Sequence, residues 1–228
     1  MFENIIKNVH NRHPLIHCIT NYVSINDCAN IVLACGGAPI MAEDINEVSQ
    51  ITSICQGLDI NIGMLNDNKL SSMLKAGATA NELGIPVILD PVGAGSSDYR
   101  IKAVQNLMSN VQFGVIRGNV SEIKAIAEKQ GIHNIAAGVY ETMQKNKSAM
   151  GVEAGIADKI TDDNIKEMAD FINKLSQKTG AVIAVTGGID MVADENRVYA
   201  IRNGHKMMSL VTGAGCQLSA LTSAYVAA

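Results

Sequence analysis

Near the end of the chain, Gly213, Ala214 and Gly215 stand directly before Cys216, and the residues after them, QLSALTSAYVAA, read as an apolar helix. Small residues leave backbone N–H groups uncovered, and a helix starting there points its positive end at the same spot. Together these make a generic anion-binding geometry. A thiol on the first turn of such a helix has its thiolate favoured by the dipole and by the free N–H groups. It can act as nucleophile or general base, or be a small hydrophobe as most buried cysteines are. A nucleophile wants a histidine base beside it, and none of His10, His13, His17, His133 and His205 pairs locally with Cys216. GAGSSD at 93–98 begins like a dinucleotide fingerprint but has Asp98 at the third-glycine position, and GAGCQL at 213–218 fails likewise at Leu218. Neither ends in Lys-Ser/Thr, so neither is a Rossmann or a Walker-type loop.

Other reactive groups fall at the ends of short apolar runs. Asn21 follows HCIT, Met41 follows PI, Asp90 follows VIL, Arg117 follows GVI and Thr186 follows AVIAV. In open α/β sheets, ligands bind in the crevice outside the carboxyl ends of the strands. Each residue also has a plain structural reading. Asn21 suits a turn, Met41 a core, and Asp90 the start of the turn DPVGAG. Glu122, three residues after Asn119, suits a capping box. Arg117 is hardest to dismiss, because a partly buried guanidinium wants an anionic partner.

These residues need a scaffold, and the rhythm of the chain supplies one. Strand-like runs at 14–20, 38–42, 58–63, 86–90, 113–118 and 181–187 alternate with helical periods at 24–37, 46–56, 68–84, 96–108, 121–130 and 162–180. That alternation predicts α/β with a mostly parallel central sheet. Residues 190–206 alternate around a polar turn and predict an antiparallel hairpin at one edge. Aromatic residues are 4% of the chain with no Trp, so Ile, Val, Leu, Ala and Met must build the core, which suits strands covered on both faces. No linker, repeat or low-complexity segment interrupts residues 1–228, so one domain is expected. The formal charge of −4 argues against nucleic acid and anionic membranes as partners. Five cysteines without C-x-x-C spacing and no signal-like N-terminus predict reduced thiols in a cytoplasm.

The segments HCITNYV, GGAPIMA, LDINIG, VILDPVGAGSSDYR, IRGNVSEI, AVTGGID and NGHKMMSLVTGAGC occur in this order over 17–216. Together they closely resemble the hydroxyethylthiazole kinases, thiamine-salvage enzymes of ribokinase-like three-layer α/β/α fold. The resemblance implies transfer of the γ-phosphoryl group of MgATP to the alcohol of 4-methyl-5-(2-hydroxyethyl)thiazole. It implies Gly213, Ala214 and Gly215 as the anion hole and Cys216 as the candidate base, standing where related kinases carry Asp. Arg117 and Thr186 are then expected on the ATP phosphates. Met41, Gly213 and Asn21 are expected at the thiazole, and Asp90 and Glu122 as organisers of Mg2+, directly or through water. A homotrimer with active sites at subunit interfaces is also implied. Two departures stand out: extra residues within 132–150, expected as a surface helix or loop, and an end at Ala228 where the resemblance implies further helices. A shortened chain is the expectation there. The alternatives are a kinase for another heterocyclic alcohol such as a hydroxymethylpyrimidine, a non-catalytic thiamine-precursor binding protein, and a ribokinase-fold lyase acting on a hydrated nicotinamide cofactor.

Overall fold

The computed structural model describes residues 2–132 and 159–228, so the segment expected within 132–150 lies, but for Ile132, outside the described residues. Two compact units divide the chain: Met1–Asp90 with Asn106–Gly114 and Lys206–Ala228, and Pro91–Gln105 with Val115–His205.

In the first unit, α1 (Phe2–Arg12), α2 (Ile25–Ala34), α3 (Val48–Ser53), α4 (Asp67–Glu82) and α8 (Ala214–Ala227) surround four strands. The strands are β1 (Leu15–Ile19), β2 (Ala38–Ile40), β3 (Gly57–Asn61) and β4 (Val87–Asp90), ordered β2-β1-β3-β4 and all parallel. β3 is buried along its whole length. A Cβ on Gly57 would lie 3.2 Å from the Ala227 Cβ, so α8 covers the face that alternation assigns to Gly57, Asp59 and Asn61. α8 also packs on α2, β1 and β4, and α4 packs on β3 and β4. Asn66 caps α4 by accepting from the Lys69 N–H.

The second unit holds β5 (Val115–Asn119) and β6 (Val182–Thr186), which are parallel, then the antiparallel β7 (Asp190–Ala193) and β8 (Val198–Ile201). α6 (Val120–Lys129) starts from a full capping box between Asn119 and Glu122, and α7 (Ile165–Thr179) ends at Gly180 in the left-handed region. The β7–β8 turn is tied by Asp194 Oδ1, which accepts from the N–H groups of Asn196 and Arg197 at 2.7 Å each. α5 (Asp98–Asn110) contributes to both units.

The α/β class, the parallel strands and the antiparallel hairpin agree with the sequence expectation. Three elements differ. α1 is unforeseen: Val9 is its buried contact, while Ile5 and Ile6 are 38% and 50% exposed, so its apolar stripe is thin. The 3-10 helix Lys206–Leu210 is exposed throughout and carries no core pattern. α3 is shorter than the expected 46–56, because Thr52 and Ser53 turn their hydroxyls back onto the carbonyls of Val48 and Gln50 at 2.7 Å each.

Candidate functional site

The carboxyl ends of the first unit's strands deliver a chain of amides and acids to the start of α8. Asn61 closes β3 opposite Asp90, which closes β4. The Asn61 amide nitrogen donates to Asp90 Oδ2 at 2.9 Å, and the Ser219 hydroxyl donates to the same oxygen at 2.9 Å. Asn61 Oδ1 accepts from Asn21 Nδ2 at 3.1 Å and from the Gly63 N–H at 2.9 Å. Asn21 Nδ2 also donates to Cys216 Sγ at 3.2 Å. On its other side, Asn21 Oδ1 accepts from the N–H groups of Val23 and Ser24 and from the Ser24 hydroxyl, at 3.1–3.2 Å. Asn21 therefore builds its turn and reaches Cys216 at once.

Gly213 caps α8 with φ +73°, and a Cβ there would come within 2.7 Å of the Ser24 Cβ. Only glycine meets both demands. Ala214, Gly215 and Cys216 then form the first turn of α8, whose N–H groups have no intrahelical acceptor. A turn of this kind offers its N–H groups and the positive end of α8 to an anion. The thiol itself behaves differently from the sequence expectation. Burial pushes the Cys216 thiol up, and the Asp90 charge pushes it further, against hydrogen bonds from Ser24, Asn61 and Asn21. At neutral pH it is a thiol, because desolvation and a neighbouring carboxylate outweigh the helix terminus. His17 does not serve it as a base. Its ring is buried between Thr52 Oγ1 at 2.9 Å and the Ala42 carbonyl at 2.8 Å. Burial also lowers its pKa despite the Ala42 bond. Met41 follows β2 and is half-buried, one residue before that carbonyl and outside the hydrogen-bonded network.

In the second unit, neighbouring β5 and β6 bring Arg117 and Thr186 together. The guanidinium donates to the Thr186 hydroxyl at 2.5 Å and is 8% exposed. Glu122 accepts from the Gly93 N–H on Oε1 and from the Asn119 N–H on Oε2, both at 2.8 Å. Its capping role is thus met in full, and it additionally ties down the DPVGAG turn.

Among the described residues, no group of three or more His, Cys, Asp or Glu side chains is placed to hold a metal ion. Mg2+ carried on a nucleotide takes one or two carboxylates from a protein and the rest of its shell from phosphates and water. Asp90 and Glu122 fit this ion in kind, since Mg2+ takes hard carboxylate oxygens. Several site residues escape the reading of the sequence. Asn61 and Gly63 lie within LDINIG and Ser24 within NYVSIND, but none follows a run as an isolated polar residue does. A Cβ on Gly63 would fall 2.9 Å from both Asn21 Nδ2 and Asn61 Oδ1, so its absent side chain protects their bond. Ser219 shows no signal of its own; only the pitch of α8 turns it toward Asp90.

Comparison with known proteins is consistent across the chain. The profile of the Hydroxyethylthiazole kinase family matches residues 6–228. Hydroxyethylthiazole kinase of Clostridium acetobutylicum is 52% identical over the whole chain, which spans 78% of that protein. The enzyme of the same name from Desulfovibrio desulfuricans is 44% identical over 97% of the chain and 72% of its own length. Among solved structures, a hydroxyethylthiazole kinase protein from Pyrococcus horikoshii OT3 superposes with TM-score 0.82 at 33% identity, covering 98% of this chain and 75% of that one. A Bacillus subtilis pyridoxal kinase superposes with TM-score 0.64 at 16% identity over 94% of this chain and 84% of its own, a likeness of fold alone.

Proposed function

Because the chain belongs to the hydroxyethylthiazole kinase family and has its ribokinase-like α/β fold, we propose that it transfers the γ-phosphoryl group of ATP to the hydroxyl of 4-methyl-5-(2-hydroxyethyl)thiazole. The observation that carries this reading is the loop of Gly213, Ala214 and Gly215, which opens α8 next to a thiol held by Asn21. Phosphoryl transfer through a loose transition state asks for positioning and charge stabilisation more than for a strong base. The N–H groups of the loop and the positive end of α8 stabilise the oxygens of the transferring group. The bond from the γ-phosphorus to the ADP oxygen breaks as the bond to the acceptor oxygen forms. The acceptor proton leaves late, when that oxygen has become acidic, and passes to an oxygen of the transferred phosphoryl group and on to solvent. Cys216, protonated at rest, serves mainly to orient the hydroxyl, with Asn21 fixing its direction.

Arg117 and Thr186 bind ATP phosphates in this reading, and Met41, Gly213 and Asn21 contact the thiazole. Magnesium bound with ATP would neutralise triphosphate charge, and Asp90 and Glu122 are the carboxylates proposed to organise it, directly or through water. Residues 1–228 act as one kinase domain, assembled as a homotrimer in the cytoplasm. No described helix is long and apolar enough to cross a membrane. The test is coupled ADP release by the purified chain with MgATP, with and without hydroxyethylthiazole. Thiazole-dependent ADP formation is expected; its absence in folded protein, with turnover of a hydroxymethylpyrimidine instead, would transfer the assignment. Light scattering on the same sample reads the assembly.

A further inference from the structure

Lys69 breaks a local rule. It is the third residue of α4, in the first turn, where acids are favoured and a cation faces the positive helix end. It is also only 3% exposed, although lysine is almost never buried unless paired. Its ammonium is spent on contacts from two separate loops. Nζ donates to the Thr20 carbonyl at 2.5 Å and lies 2.8 Å from Glu43 Oε2. It stands 4.6 Å from the centroid of the Tyr22 ring, within range of a cation–π contact. The Tyr22 hydroxyl closes the circuit by donating to Glu43 Oε1.

The two loops are those that carry the acceptor-side residues. Thr20 and Tyr22 flank Asn21, and Glu43 stands two residues beyond Met41. A buried charge that opposes its own helix is expensive unless paired, and such departures from local preference gather at functional sites. Solvent-facing links would suffice to hold two loops near one another. A desolvated ammonium with fixed partners holds them at one distance.

We propose that Lys69 is a positioning residue for the alcohol acceptor, tying the loop of Asn21 to the loop of Met41 through Thr20, Tyr22 and Glu43. This rests on the acceptor reading given above. Lys69 touches neither acceptor-side residue and acts through both loops.

The test uses the full chain as wild type, Lys69→Met, Glu43→Gln and the double variant, with KM measured separately for hydroxyethylthiazole and for MgATP. The acceptor KM is expected to rise about tenfold in each variant while the ATP KM stays within about twofold, the signature of lost acceptor positioning. Because the pair acts as a unit, the double variant should be no worse than the more impaired single. It also removes the Glu43 charge that Lys69→Met leaves unpaired, a side chain 40% exposed, so it decides the matter if Lys69→Met does not fold. An unchanged acceptor KM in the folded double variant, or equal rises in both KM values, overturns the proposal. Amide hydrogen exchange over 20–24 and 41–46 gives a second reading that needs no substrate. Faster exchange is expected in the variants, and wild-type protection in them overturns the proposal. If wild type released no thiazole-dependent ADP, the kinase reading would fail while hydrogen exchange still judged the tie.

Discussion

Burial and the Asp90 charge hold Cys216 as a thiol. A group held above its ordinary 9.0 ionises only in alkali. If thiolate were essential, log kcat would climb with unit slope between about pH 7 and about pH 8.5. We expect a level profile there, and Cys216→Asp should keep or raise turnover; loss of all turnover in folded C216D would remove the residue from the acceptor site. Arg117→Ala should weaken ATP binding by about tenfold or more, as loss of a charge-assisted contact does, with thiazole binding little changed. Equal weakening of both would make the arginine structural. The sequence exposes Cys216 and Arg117 because each is a conspicuous side chain at the edge of an apolar run. Asn61 is as central as either, but in LDINIG it alternates like any strand residue. Its importance lies in two partners that come from β4 and from the turn after β1, which no local pattern can display.

At the scale of elements, the start of α8 depends on a missing side chain. Gly213→Ala would have to hold a left-handed φ and push its Cβ into Ser24. Urea denaturation should register a loss of about 1–3 kcal/mol, accompanied by a fall in kcat because the anion loop moves with the cap. Wild-type stability in G213A would mean that the loop relaxes freely and is a poor anion hole. The helices and strands themselves are largely legible, because burial on both faces writes β4 as a short continuous apolar run and α7 as a clean amphipathic period. What stays illegible has a common cause. α1 and the 3-10 helix Lys206–Leu210 bury little, and α3 is cut short by its own hydroxyls.

For the molecule as a whole, buried titratable groups set a window of pH stability. Burial holds His17 below its ordinary 6.5, so the unfolded chain takes up that proton first and stability falls as pH drops below 6.5. Glu43 adds to the loss at lower pH: burial tends to raise it, but the Lys69 ammonium and the Tyr22 hydroxyl together hold it below 4.5. On the alkaline side, burial lifts the Cys28 thiol to about 12 and the Cys55 thiol to about 11. Unfolded thiols then ionise first, and stability falls as pH rises above 9.0. Denaturant midpoints should therefore form a plateau between 6.5 and 9.0 with a decline on either side. A midpoint that keeps rising above the plateau would contradict the buried state of the thiols. The closeness of Ser24 to Gly213 bears on inheritance as well. Positions at opposite ends of the chain share one small volume, so a hybrid that takes its C-terminal segment from a relative with a bulkier residue at 213 must take position 24 from that relative too. Selection for function in shuffled libraries would recover the two positions together, though nothing in the linear order of the chain links them.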